Sequence, residues 1–157
     1  MQRIRAFPLP ASLAGAATLA FLSACGDERP LGPDFIEVTG DYAVTFAATE
    51  ATGCEGFVEP GAVDGVLPVT ETGNQVTLEL TEVTDFIQSD PTGAIDAGGQ
   101  FSFQGVVSVG DATTNVDANG TIEGSFARVT GEIDLDFDFT ALGCNVQGTI
   151  IGERIDT

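Results

Sequence analysis

The fold is indicated most clearly by a stretch near the C-terminus, Glu-Ile-Asp-Leu-Asp-Phe-Asp-Phe at Glu132–Phe139. Acidic and apolar side chains alternate along it, and a period of two places them on opposite faces of a β-strand. One face suits an apolar core and the other suits water, as is typical of antiparallel sheets. The stretch therefore predicts an antiparallel sheet that covers an apolar core.

The same alternation recurs along the rest of the chain. Further strands are predicted at 42–48, 63–70, 76–81, 101–107, 122–126 and 144–155. The interpretation of residues 83–88 stays open, because a short strand and one helical turn both fit them. No segment of useful length with a helical period follows residue 24, so the domain is predicted to be all-β.

Turn signals separate these strands. Turns are predicted at 59–61, 72–74, 119–120 and 130–131, and a loop is predicted at 90–93. Asn119-Gly120 is the strongest hairpin signal, because a type I′ turn needs positive φ at both central residues. Short strands with regularly spaced turns predict either an antiparallel barrel or a β-sandwich.

Two cysteines favour the barrel. Cys54 follows the first predicted strand and Cys144 opens the last. If residues 83–88 count as a strand, there are eight strands, and an up-and-down order closes the barrel by pairing the first with the eighth. The two cysteines then lie at the same end, whereas seven strands would separate them. We therefore predict an eight-stranded antiparallel up-and-down β-barrel with a Cys54–Cys144 disulfide, and a β-sandwich as the alternative.

The N-terminus has the features of a bacterial export signal. Two arginines precede an apolar run at 11–22, which is shorter than the roughly 20 residues that a membrane-spanning helix needs. The run ends in Leu22-Ser23-Ala24-Cys25, which resembles the lipobox of bacterial lipoproteins. This resemblance implies a signal peptide at 1–24, cleavage before Cys25, and a lipid on the Cys25 thiol that holds the protein to a membrane.

The residues after Cys25 bear on location and domain organisation. Gly26, rather than Asp, follows the cysteine. In lipoproteins this implies the outer membrane, with the domain facing the periplasm or the cell surface. Residues 25–35, which include two prolines, are predicted to be the lipidated cysteine and a flexible tether. Residues 36–157 are predicted to form the barrel, in an oxidising compartment that permits the disulfide.

The composition argues against several classes of function. The chain has 5 basic and 24 acidic residues, a net charge of −19 and no histidine. Removal of the signal peptide leaves 3 basic residues against 24 acidic ones, so the net charge becomes −21. Such a surface repels phosphate groups, so nucleic acid is not expected as a partner. Without histidine there is no Ser-His-Asp triad, and no nucleotide-binding motif occurs, so neither an enzyme nor a cofactor is predicted.

A second resemblance concerns the ends of the barrel. Gly40-Asp41-Tyr42 on the first strand, with Arg154 on the last, is similar to the signature of calycin and lipocalin barrels. In that signature a Gly-x-Trp packs under a basic residue from the final strand, and here Tyr42 replaces the tryptophan. The resemblance implies a Tyr42–Arg154 pair at one end of the barrel, and a barrel that binds a small apolar ligand.

Two groups of acidic residues are candidates for a metal site. Residues 115–120 resemble the first half of an EF-hand calcium loop, but the twelfth position is Phe126 where that loop has a bidentate Glu. Asp134, Asp136 and Asp138 share one face of a strand at intervals of about 7 Å, which is too far apart for one ion. No metal site is predicted, and the three aspartates are interpreted as a solvated face.

Two functions remain open for the lipid-anchored barrel. One is the binding of a small apolar ligand, and the other is a structural or protein-interaction module of the cell envelope with a packed core. The interior is predicted to be mostly filled, since eight strands enclose room only for side chains or one small ligand. The inward positions predicted by phase are Tyr42, Phe46, Leu78, Leu80, Phe101, Phe103, Phe126, Ile133, Leu135, Phe137, Phe139 and Ile150. Gly124 and Gly148 share this phase and leave room beside large neighbours.

Overall fold

The computed structural model describes residues 36–54, 60–111 and 113–155. The predicted signal peptide, lipobox and tether fall in residues 1–35, which lie outside the described residues. The strands are β1 (Gly40–Thr52), β2 (Gly61–Thr72), β3 (Gln75–Leu78), β4 (Thr92–Ile95), β5 (Gln100–Gly110), β6 (Asn115–Phe126), β7 (Glu132–Ala141) and β8 (Cys144–Arg154). A short 3₁₀ helix, Leu80–Glu82, follows β3.

These strands form a closed antiparallel barrel in which each strand pairs with the next in sequence. β8 returns to β1, with the pairs running from Tyr42↔Arg154 to Thr52↔Asn145. The predicted eight-stranded up-and-down barrel is confirmed, and the sandwich alternative is wrong because no sheet edge separates β1 from β8. Closure also removes the unpaired strand edges along this seam, which would otherwise invite pairing with other chains.

The fourth strand lies elsewhere than predicted. Residues 83–88 do not form a strand of the barrel, and the predicted loop at 90–93 contains the start of β4. Pro91 and Gly93 are typical of a loop. Proline is nevertheless tolerated next to β4, because the hydrogen bond at this position uses the Pro91 carbonyl, which accepts from the Leu78 N–H at 3.0 Å. The predicted number of strands is therefore correct, but the fourth strand is Thr92–Ile95 and not residues 83–88.

The connection between β3 and β4 covers this side of the barrel with apolar side chains and does not form a full strand. Leu80, Val83 and Ile87 are buried along it. Ile87 forms an isolated antiparallel bridge with Val109 of β5. The apolar residues that suggested a strand thus pack inward, where the short strands β3 and β4 leave a gap between β2 and β5.

The predicted hairpin at Asn119-Gly120 is also wrong, because both residues lie within β6. The chain reverses earlier, between Gly110 and Asn115. The glycine is needed for packing rather than for a turn. A Cβ on Gly120 would lie 2.6 Å from the ring of Phe139, so only glycine lets that ring lie flat against the strand. The predicted turns at 72–74 and 130–131 are present, with positive φ at Gly73 and Gly131.

Aromatic side chains fill the interior. Phe46, Phe137 and Phe139 form a stack, with ring centroids 4.6 Å and 5.0 Å apart. Nearer the start of β1, the ring of Phe126 makes edge contacts with the rings of Tyr42 and Phe101, and both centroid distances are 5.8 Å. The residues predicted to point inward are buried, except that Phe103 is only partly so. Such offset and edge geometries are favoured for aromatic pairs and leave little free volume.

Glycine on the inner wall makes this filling possible. A Cβ on Gly148 would lie 2.4 Å from the ring of Phe137 and 2.0 Å from the carbonyl oxygen of Ala47. The room that glycine leaves is therefore occupied by a neighbouring ring, and no cavity remains there.

Candidate functional site

The two ends of the barrel differ, and each carries residues singled out from the sequence. The tyrosine end is defined by residues 36–42 with Glu71, Arg128 and Arg154. The disulfide end is defined by Cys54, Cys144 and the hairpins at 110–115 and 141–144. β1 runs from the first end to the second and β8 runs back, so the first and last strands connect both ends.

At the tyrosine end, Tyr42 and Arg154 are direct partners across the β1–β8 seam. The Tyr42 hydroxyl donates to the carbonyl oxygen of Val38 at 2.8 Å. The Arg154 guanidinium donates to the carbonyl oxygen of Glu37 at 3.1 Å, and its Cδ would lie 3.2 Å from a Cβ on Gly40. Both side chains therefore hold the segment that leads into β1.

Burial alters the acidity of the tyrosine. It raises the pKa of the Tyr42 hydroxyl above its ordinary value, and the nearby Arg154 guanidinium opposes this rise by favouring the phenolate. The Glu71 carboxylate raises the pKa further. Tyr42 is therefore a neutral hydrogen-bond donor rather than an acid at neutral pH.

A buried ion pair completes this end, and it was not predicted from the sequence. Arg128 donates to both carboxylate oxygens of Glu71, at 2.9 Å and 3.0 Å. Their side chains are 9% and 2% exposed. The same arginine donates to the carbonyl oxygens of Ile36 and Asp96, and the Val38 N–H donates to Glu71 at 2.7 Å. A bidentate pair with these added hydrogen bonds is the geometry that offsets the desolvation of two buried charges.

One signal could have found this pair. Glu71 shares the inward phase of Leu67 and Val69 on β2, and a carboxylate in a row of core residues needs a cationic partner. The described chain contains just two basic residues, Arg128 and Arg154. Both lie at the tyrosine end.

At the disulfide end, Cys54 and Cys144 are bonded, with their Cα atoms 4.6 Å apart. The predicted disulfide is confirmed. It fastens β1 to β8 where the two strands end, 90 residues apart in sequence.

Beside the disulfide lies an apolar pocket of about 110 Å³. The buried Phe139 and Val146 line it together with the half-buried Phe86 and Val116 and with Leu142, whose exposure places it at the mouth. Drug-sized ligands occupy pockets of about 300 Å³ or more, so this pocket holds at most one apolar side chain or the end of an acyl chain.

Leu142 stands out at this mouth. It is 88% exposed and has a φ of 51°, a left-handed conformation that disfavours a leucine. With Gly143, also at positive φ, it forms the two-residue turn between β7 and β8. A large apolar side chain thus stands in water, at a turn position that normally takes Asn, Asp or Gly.

The acidic patterns form no metal site in the described chain. Residues 115–120 are extended within β6, so they lack the curved conformation of a calcium loop. Asp134 and Asp136 are exposed on β7, and Asp138 accepts hydrogen bonds from the side chains of Asn145 and Gln147. Across residues 36–54, 60–111 and 113–155, no group of three or more His, Cys, Asp or Glu side chains is arranged to hold a metal ion.

Comparison of the chain with protein-family profiles, with curated proteins and with solved structures finds no match. None of the helices that the structure describes has the length and hydropathy to cross a membrane.

Proposed function

We propose that the protein is a lipid-anchored module of the bacterial cell envelope that acts by contacting another protein through its outer surface. The observation that carries this proposal is the filled interior. The Phe46–Phe137–Phe139 stack occupies the space in which a carrier barrel would hold its ligand. The lipid anchor is proposed from the Leu22-Ser23-Ala24-Cys25 sequence, and Gly26 favours the outer membrane.

Native mass spectrometry of the protein purified from its own membranes tests both parts. We expect the mass of the chain from Cys25 onward with a covalent diacylglyceryl group, and no non-covalent ligand. Cys25→Ser is the control and should yield an unprocessed precursor without lipid. A lipid-free wild type would overturn the anchor, and a stoichiometric apolar ligand released on activation would overturn the packed-module function.

A second function is supported by the pocket at the disulfide end. Its apolar lining and volume of about 110 Å³ suit the end of an acyl chain. Octanoate is a suitable probe, and its binding would produce saturable NMR shifts at Val109 and Phe139. Val116→Phe should abolish the shifts by filling the mouth. Absence of saturable shifts in the wild type would exclude this second function.

A further inference from the structure

Among the strands of the barrel, β7 and its two neighbours carry the densest set of outward acidic side chains. β7 presents four of them in alternation, and neighbouring strands add Glu123 and Glu153. We call this set the acidic flank: Glu123, Glu132, Asp134, Asp136, Asp138 and Glu153. The outward positions of β3, β4 and β5 that the structure describes carry no charged side chain. Acids also lie off the strands, at Glu79, Glu82 and Asp85 of the connection between β3 and β4.

A groove of about 720 Å³ crosses the outer face beside this flank. One row of register partners runs through it, from Asp64 on β2 through Thr45 and Ile151 to Asp134 on β7. Adjacent strands are about 4.8 Å apart, so the two carboxylates lie roughly 14 Å apart across the row. The groove therefore has an acid on each side.

Between these acids lie Thr45 and the apolar Ile151, which is 51% exposed. Val66 lies next to the groove, beside Ala43 on the adjacent row, and is 46% exposed. Exposed branched apolar side chains in a groove rimmed by charges are typical of protein contact sites. The acidic flank thus adjoins a surface that water solvates poorly.

Several acids of the flank face each other across adjacent strands. Glu132 lies directly opposite Glu153, and Glu123 lies opposite Asp136, and facing like charges destabilise a sheet. The described ion pair joins Glu71 to Arg128 at the tyrosine end, and none is formed on the flank by the residues that the structure describes. A cationic side chain from another molecule would relieve this repulsion.

We propose that the groove binds a segment of a partner protein in which Lys or Arg side chains alternate with small apolar ones. The cations would face the acidic flank and Asp64, and the apolar side chains would cover Ile151 and Val66. A second copy of the chain is unsuited, because the two basic residues of the described chain, Arg128 and Arg154, both lie at the tyrosine end. This inference rests on the proposed protein-contact function and gives the chemistry of its partner.

The test uses the full-length lipidated protein in neutral detergent, with the labelled peptide Lys-Val-Lys-Val-Lys-Val-Lys as the probe. Binding is measured by fluorescence anisotropy at low and at physiological ionic strength. The flank variant is Asp134→Asn, Asp136→Asn, Glu153→Gln. The matched control is Glu79→Gln, Glu82→Gln, Asp85→Asn, which changes the net charge equally on the connection between β3 and β4.

We expect the flank variant to weaken binding about tenfold, as three exposed ion pairs would, and the control variant by less than about twofold. Ile151→Thr should weaken binding of the Val-containing peptide but not of Lys-Ser-Lys-Ser-Lys-Ser-Lys, which has the same charge. Equal losses in the two charge variants, or equal affinity for the two peptides, would overturn the proposal. No binding by the wild type would also overturn it, while leaving the anchor and the filled interior to be judged by mass spectrometry.

Discussion

The tyrosine end and the disulfide end of the barrel are held by different kinds of interaction. At the tyrosine end, Glu71 and Arg128 form a buried ion pair, and four polar side chains fasten residues 36–39 across the opening. At the disulfide end, one covalent bond joins β1 to β8 beside an apolar pocket. The first end is held by several polar contacts between different parts of the chain. The second end is fastened at one point and keeps an apolar mouth.

This difference predicts that the covalent link makes the larger single contribution to stability. Cys54→Ser, Cys144→Ser should lower the free energy of unfolding by roughly 4.5 kcal/mol, from the entropy of a 90-residue loop in the unfolded chain. Urea denaturation followed by tyrosine fluorescence measures it. Wild-type protein under reducing conditions should show the same loss. A loss below about 1 kcal/mol would mean that the seam is held by its strand pairing alone.

The ion pair should be the next largest contribution. Glu71→Gln leaves the Arg128 charge buried without its counter-charge, so we expect a loss of about 3 kcal/mol in the free energy of unfolding. Glu82→Gln removes an exposed carboxylate and serves as the control, with a change of less than about 0.5 kcal/mol. Similar losses for the two variants would contradict the burial of this pair.

The pH response should also distinguish the ends, because Tyr42 is the single tyrosine and the chain has no tryptophan. Burial raises the pKa of Tyr42, so the folded state holds its proton more tightly than the unfolded chain does. The contribution of protonated Tyr42 to the free energy of unfolding is fully present below the pKa of the unfolded chain. It is lost as pH rises through the pKa of Tyr42 in the folded state. We expect the tyrosinate absorbance of the native protein to develop at a pH above 10.0, the ordinary value, and that of the urea-unfolded protein near it. Coincident titrations would show that Tyr42 is solvated.

Sequence periodicity predicted the parts of this architecture that depend on local alternation. β7 was evident because acids and apolar residues alternate along Glu132–Phe139, and the cysteine positions fixed which strands meet. β4 was missed because it is four residues long and follows a proline, so local turn propensity outweighed its pairing with β3. The Asn119-Gly120 signal failed because packing against Phe139 determines that glycine.

The candidate sites also include one pair that the sequence indicated and others that it did not. The seam pairs Tyr42 with Arg154, the two residues that the resemblance to the calycin signature singled out, and the up-and-down strand order places their strands side by side. Glu71 and Arg128 are separated by 57 residues, and Arg128 lies in a turn with no periodic pattern. Their pairing depends on the path of the chain across the end of the barrel. The groove beside the acidic flank likewise depends on the register of four strands, which alternation within each strand does not determine.

The smallest expected effect concerns Leu142, and it separates strain from function at the disulfide end. Leucine at a φ of 51° carries a cost of roughly 1 kcal/mol, which asparagine largely avoids. The side chain is 88% exposed, so replacing it removes little buried apolar area. Leu142→Asn should therefore raise the free energy of unfolding by about 0.5 to 1 kcal/mol, measured by urea denaturation. Val129→Asn, at another exposed apolar position, is the control and should change stability little.

A destabilised Leu142→Asn would mean that Leu142 packs over the pocket and belongs to the core. A stabilised variant would show that the fold retains a strained, exposed leucine against its own stability, which is the behaviour of a contact residue at the mouth of the barrel.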